Sequence, residues 1–136
     1  MRPSKIYLEA PGRTQELLNV KWALRSAGYS IVSTWHEADA SSALQDHWDR
    51  SSLEQLQLCD SLVVVCASHS SRAPELAMMA GFALARGIAV YWIGPSPRVL
   101  CDFRAVQQFA THEEFRKQVL SRTHAEAASV PDRLAA

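Results

Sequence analysis

The stretch from Ser61 to Gly94 constrains the fold more than any other part of the chain. Ser61-Leu62-Val63-Val64-Val65-Cys66-Ala67 is apolar and rich in β-branched residues, and Ser68-His69-Ser70-Ser71-Arg72 is polar. Ala73 to Arg86 then favours helix, Gly87 stops it, and Ile88-Ala89-Val90-Tyr91-Trp92-Ile93 is a second apolar run closed by Gly94. Strand, loop, helix and strand in this order make a βαβ unit. Strands without a polar alternate must be covered on both faces, which predicts a parallel sheet between layers of helix. The crossover is expected to be right-handed. Ligands of such sheets bind beyond the carboxyl ends of the strands, where the polar loop falls.

The flanking sequence repeats the alternation. Lys5-Ile6-Tyr7-Leu8 is a short apolar run, and Glu9-Ala10-Pro11-Gly12 reads as its break. Thr14 is placed to cap a helix running to about Ala27, whose Leu17, Val20, Leu24 and Ala27 recur at helical spacing, with Gly28 as the stop. Tyr29 to Trp35 reads as a second strand. His36 to Asp49 is polar and reads as a loop with some helix. Ser51 or Ser52 is placed to cap a short helix holding Leu53, Leu56 and Gln57. Gly94-Pro95-Ser96-Pro97 is a loop, and Val106 to Phe109 reads as a short edge strand. Thr111 followed by Glu114 fits a capping box for a helix carrying Phe115, Val119 and Leu120. The expectation is one flavodoxin-like α/β domain over residues 1–122, a three-layer sandwich with a mostly parallel sheet of four or five strands. Residues 123–136, Ala-rich and polar, read as a flexible tail.

A chain of 136 residues fits one domain that buries a core without metal or disulfide support. Fourteen basic and fourteen acidic residues cancel, which argues against binding long nucleic acid or a membrane surface. No apolar run approaches the roughly 20 residues of a membrane span, and the start does not read as a signal peptide. Cys59, Cys66 and Cys101 cannot all pair and lack zinc spacing, so a reducing, cytoplasmic location is expected. The five histidines, at 36, 47, 69, 112 and 124, show no metal spacing either, and neither metal nor cofactor is expected.

Several residues invite a chemical reading beside a plain one. The loop Ser68, His69, Ser70, Ser71 and Arg72 precedes a helix with Pro74 near its start, where free N–H groups and the helix dipole favour a phosphate or carboxylate. The plain alternative is a capped helix with solvated serines. Glu75 in the first turn is explained by the dipole alone, or it faces the cleft and acts on a sugar. Tyr7 is either a core tyrosine or a hydrogen-bonding group near the switch in strand order. Trp35 and Trp48 suit stacking on a base as well as core or oligomer contacts. Asp60 reads as a terminator.

With these residues placed, the chain resembles the nucleoside 2-deoxyribosyltransferase family and its nucleotide N-glycosidase relatives, from about Lys5 to Leu120. The resemblance is carried by Lys5-Ile6-Tyr7-Leu8-Glu9-Ala10-Pro11, by Gly28-Tyr29-Ser30-Ile31-Val32-Ser33-Thr34-Trp35, by Cys59-Asp60-Ser61-Leu62-Val63-Val64 and by Ala80-Gly81-Phe82-Ala83-Leu84-Ala85-Arg86-Gly87-Ile88-Ala89-Val90. Val106 to Phe115 is similar to the family's last strand and helix start. The order and spacing of these segments together carry the resemblance.

The resemblance implies a nucleoside or nucleotide ligand and a homo-oligomer. It also implies a helix glutamate that attacks the anomeric carbon and forms a covalent sugar intermediate. That nucleophile stands two residues before the glycine matched by Gly81, a position held here by Met79. Two further acids of the family fall on Ala73 and Ser52. Glu75, one turn before Met79 on the same helix face, and Glu9, where the family has a small residue, are the carboxylates this chain offers instead. The resemblance therefore implies either catalysis by Glu75 with Tyr7 or a catalytically inactive relative that senses or sequesters a nucleotide or serves as an interaction module. The expected ligand contacts are Glu9, Ala10, Pro11, Gly12, Trp35, Ser68, His69, Ser70, Ser71, Arg72 and Met79.

Overall fold

The computed structural model describes residues 4–11, 14–33, 50–66, 73–96 and 104–120. Five strands, β1 (Lys5–Glu9), β2 (Ser30–Ile31), β3 (Ser61–Val65), β4 (Ala89–Ile93) and β5 (Val106–Phe109), form one sheet in the order β2-β1-β3-β4-β5. Every pairing is parallel. This is the flavodoxin-like α/β order, and its direction of growth reverses between β1 and β3. All five residues of β3 are buried, as its unbroken apolar run requires of a central strand.

The register assigns the two faces of the sheet. Leu8 pairs with Val63, Val63 with Tyr91 and Tyr91 with Gln107, so these side chains share a face. On that face the Tyr91 ring meets Phe115 edge-on at 5.8 Å, and Phe115 meets Phe109 at 5.4 Å. Helix α1 (Gln15–Ser26) packs on the same side, against the short helix α4 (His112–Phe115) and the π-helical turn Arg116–Leu120 that continues it. The opposite face carries Tyr7, Glu9, Leu62, Val64, Val90 and Trp92 by alternation. Between β2 and β3 lies helix α2 (Arg50–Gln57), and helix α3 (Ala73–Ala85) joins β3 to β4. Because β1 to β2 and β3 to β4 step in opposite directions, right-handed crossovers put α3 on the face away from α1. Three layers result.

Local signals account for most boundaries. The Thr14 hydroxyl accepts from Leu17 N–H at 3.1 Å and caps α1, which buries Leu17, Val20 and Leu24. Gly28 (φ 93) and Gly87 (φ 75) follow α1 and α3 with left-handed backbone that only glycine adopts without strain. Thr111 accepts from Glu114 N–H at 3.2 Å as a capping box requires. The Glu114 carboxylate reaches back to Ala110 N–H at 3.0 Å, one residue before the cap.

Three expectations change. β1 does not break at Glu9, because that residue pairs with Val64 and is 1% exposed. β2 is only two residues long. Beyond it, Val32 N–H still donates to Ile6 C=O at 2.8 Å, but the Ser33 hydroxyl then serves both Leu8 N–H and Leu8 C=O, so a side chain replaces the ladder. Ser51 and Ser52 lie inside α2 rather than ahead of it, since the helix already includes Arg50. His36 to Asp49 and the tail at 123–136 lie outside the described residues.

Candidate functional site

The strand order puts the expected cleft beyond Glu9 and Val65, at the carboxyl ends of β1 and β3. Glu9 is the last residue of β1 and its carboxylate is buried. Burial of a carboxylate demands hydrogen bonds, and Oε1 accepts the N–H of Ala10 at 3.0 Å. Ala10 is itself buried and Pro11 is half-buried. Tyr7, two residues before Glu9, projects to the same face and is a buried member of the core.

From the other side of the cleft comes α3, whose first turn follows β3 and lies at the carboxyl edge. Its buried stripe is Leu76, Met79, Ala80 and Ala83. Met79 is 1% exposed, so its thioether is packed between helix and sheet. Glu75 is exposed one turn earlier, at the dipole-favoured start of the helix. The two carboxylates this chain offers thus differ in setting: Glu9 is enclosed and Glu75 meets water. Gly12, Trp35 and Ser68, His69, Ser70, Ser71 and Arg72 lie outside the described residues.

Other residues resolve into structural roles. Asp60 sits at the amino ends of the strands, where its Oδ2 accepts Lys5 N–H at 2.9 Å and its own N–H donates to Lys5 C=O at 2.8 Å. It ties β1 to β3 at the edge away from the cleft. Trp92 is fully buried, and its indole N–H donates to Pro95 C=O at 3.0 Å. Cys59 and Cys66 are both buried. The Cys59 thiol donates to Gln55 C=O at 3.3 Å, and burial, reinforced by the Asp60 charge, pushes its pKa up to about 12. It is therefore no nucleophile at neutral pH. Among the described residues no group of three or more His, Cys, Asp and Glu is placed to hold a metal ion, and no helix is long and apolar enough to cross a membrane.

Sequence reasoning missed two features. It placed Glu9 among the carboxylates of the cleft but read it as ending the strand, whereas the residue pairs with Val64 and is buried. It also assigned no role to Ser33, which only the register reveals as a partner of Leu8. Searches against protein-family models and against curated proteins find no match to this chain.

Proposed function

We propose that the chain binds a nucleoside or nucleotide at the carboxyl ends of β1 and β3, as a cytoplasmic homo-oligomer, and acts there on the N-glycosidic bond. The reading rests on the resemblance to nucleoside 2-deoxyribosyltransferases. The observation that carries it is topological: Glu9 ends β1 and the first turn of α3 follows β3, both on the carboxyl edge of the sheet where the strand order switches. In this reading a Glu75 carboxylate oxygen attacks the anomeric carbon. The glycosidic electron pair leaves with the base, which takes a proton from solvent water. Water or a second base then displaces the sugar from Glu75, its proton going to solvent. Tyr7 positions the sugar, and Ser68, Ser70, Ser71 and Arg72 hold a phosphate where the ligand has one.

A second reading, binding without turnover, is favoured by the burial of Met79. The helix position that carries the family's nucleophile is here part of the core. The test is to incubate the protein with deoxyribonucleosides, ribonucleosides, their 5′-monophosphates and NAD, with and without an acceptor base, and to measure free base. Release that Glu75→Gln abolishes supports the first reading. No release, together with ligand-dependent thermal stabilisation, supports the second. A chain that neither turns over nor is stabilised by any of these compounds refutes both.

A further inference from the structure

On the opposite face of the sheet, a groove of about 630 Å³ runs between α1 and the α4–π-turn segment. Its described lining is Asn19, Trp22, Ala23, Ser26 and Ala27 from α1, and His112, Arg116 and Leu120 from the other wall. The α1 residues run toward that helix's carboxyl end, hence toward the amino edge of the sheet, away from the cleft of Glu9 and Glu75. The volume falls in the range of small-molecule sites, and so does the mixture of an apolar floor with a few polar groups.

The polar groups share one character. The Asn19 Oδ1 is taken by the Gln15 amide at 2.9 Å, which turns the Asn19 N–H₂ away from Gln15. The His112 ring is held by Glu16 through Nδ1 at 2.9 Å, and its Nε2 lies 4.0 Å from the Glu113 carboxylate, so the imidazole engages both nearby acids. The indole N–H of Trp22, the hydroxyl of Ser26 and the guanidinium of Arg116 have no protein partner among the described residues. The groove thus offers donors and positive charge, and none of its described lining residues is acidic. Trp22 is 74% exposed, a large ring surface left to solvent beside this donor set.

We propose that this groove is a second binding site, for a planar aromatic anion: the ring stacks on Trp22, and a carboxylate, sulfonate or phosphate group pairs with Arg116. Charge complementarity fixes the sign of the ligand, and the indole face fixes its shape. The site is independent of the nucleoside cleft, so it stands or falls separately from the function proposed above.

The test uses 2-naphthoate and its neutral counterpart 2-naphthylmethanol as probes, titrated by calorimetry into the full chain and into Trp22→Ala and Arg116→Ala. Both positions are exposed, so both variants are expected to fold. The expected result is that naphthoate binds, that Arg116→Ala raises its Kd about tenfold or more while barely changing that of naphthylmethanol, and that Trp22→Ala weakens both probes. Equal affinity for the two probes in the parent chain overturns the proposal, as does naphthoate affinity unchanged in either variant. So does a dimer, seen by sedimentation, that Trp22→Ala converts to monomer, because the groove then belongs to a second copy of the chain.

Discussion

Ser33 accepts from Leu8 N–H at 2.9 Å and donates to Leu8 C=O at 3.1 Å, both in the buried interior. One hydroxyl therefore satisfies a backbone donor and acceptor where β2 has already ended. Replacing it by alanine removes two buried hydrogen bonds, and Ser33→Ala is expected to cost about 1–3 kcal/mol. Urea denaturation checks this: the midpoint should fall with an unchanged slope. A wild-type midpoint would mean that Leu8 finds another partner. Cys59 supports a prediction of a different kind. Burial first, and the Asp60 charge second, raise its pKa from 9.0 to about 12. Below pH 9 the thiol is neutral in both folded and unfolded chains and contributes no pH dependence. Between pH 9 and about 12 the unfolded chain loses this proton and the folded chain keeps it, so stability falls as pH rises. The slope from this group is at most about 1.4 kcal/mol per pH unit. Stability measured from pH 8 to 10.5 should decline more gently in Cys59→Ala than in the parent. Parallel curves would show that the thiol ionises equally well in both states.

The elements that follow from local rules are the ones a single substitution can probe cleanly. A Cβ added at Gly87 meets no atom within 4 Å, yet the backbone there has φ 75. Gly87→Ala is therefore expected to cost about 1–2 kcal/mol from backbone strain alone, read as a lower thermal midpoint with unchanged secondary structure. A loss well beyond that would mean that the turn into β4 moves. Such elements were also the legible ones. Thr14, Gly28 and Thr111 mark helix ends by short-range hydrogen bonds and backbone angles, and the apolar runs of β3 and β4 admit only buried strand. What was not legible depends on partners distant in sequence. Glu9 belongs to β1 because Val64 pairs with it, and β2 stops at Ile31 because a serine side chain takes over the ladder. Of the candidate site, the sequence located the sheet edge and the odd Met79. It could not tell that Glu9 would be enclosed and Glu75 exposed, since burial is a property of packing. The groove left a trace that went unread: Trp22 on α1 lies off the stripe of Leu17, Val20 and Leu24 and is 74% exposed.

At the scale of the whole molecule, the two candidate sites lie on opposite faces of the sheet and toward opposite ends of its strands. The core between them consists of β1, β3 and β4 with almost no exposed apolar side chain. Interiors packed in this way deform little unless a bistable element links two sites. Ligands at the two sites should therefore stabilise the fold independently. A ligand at one hundred times its Kd contributes about 2.7 kcal/mol, which for a chain of 136 residues raises the thermal midpoint by several degrees. The measurement is a set of four melts: chain alone, with a saturating nucleotide that binds in the panel, with saturating 2-naphthoate, and with both. The shift with both compounds should equal the sum of the separate shifts within about 0.5 kcal/mol. A shift no larger than the greater single one would mean that both compounds compete for one site. A shift above the sum would reveal coupling through the sheet, and the first residues to replace would then be Leu8, Val63 and Tyr91, which join the α1 face to β1, β3 and β4.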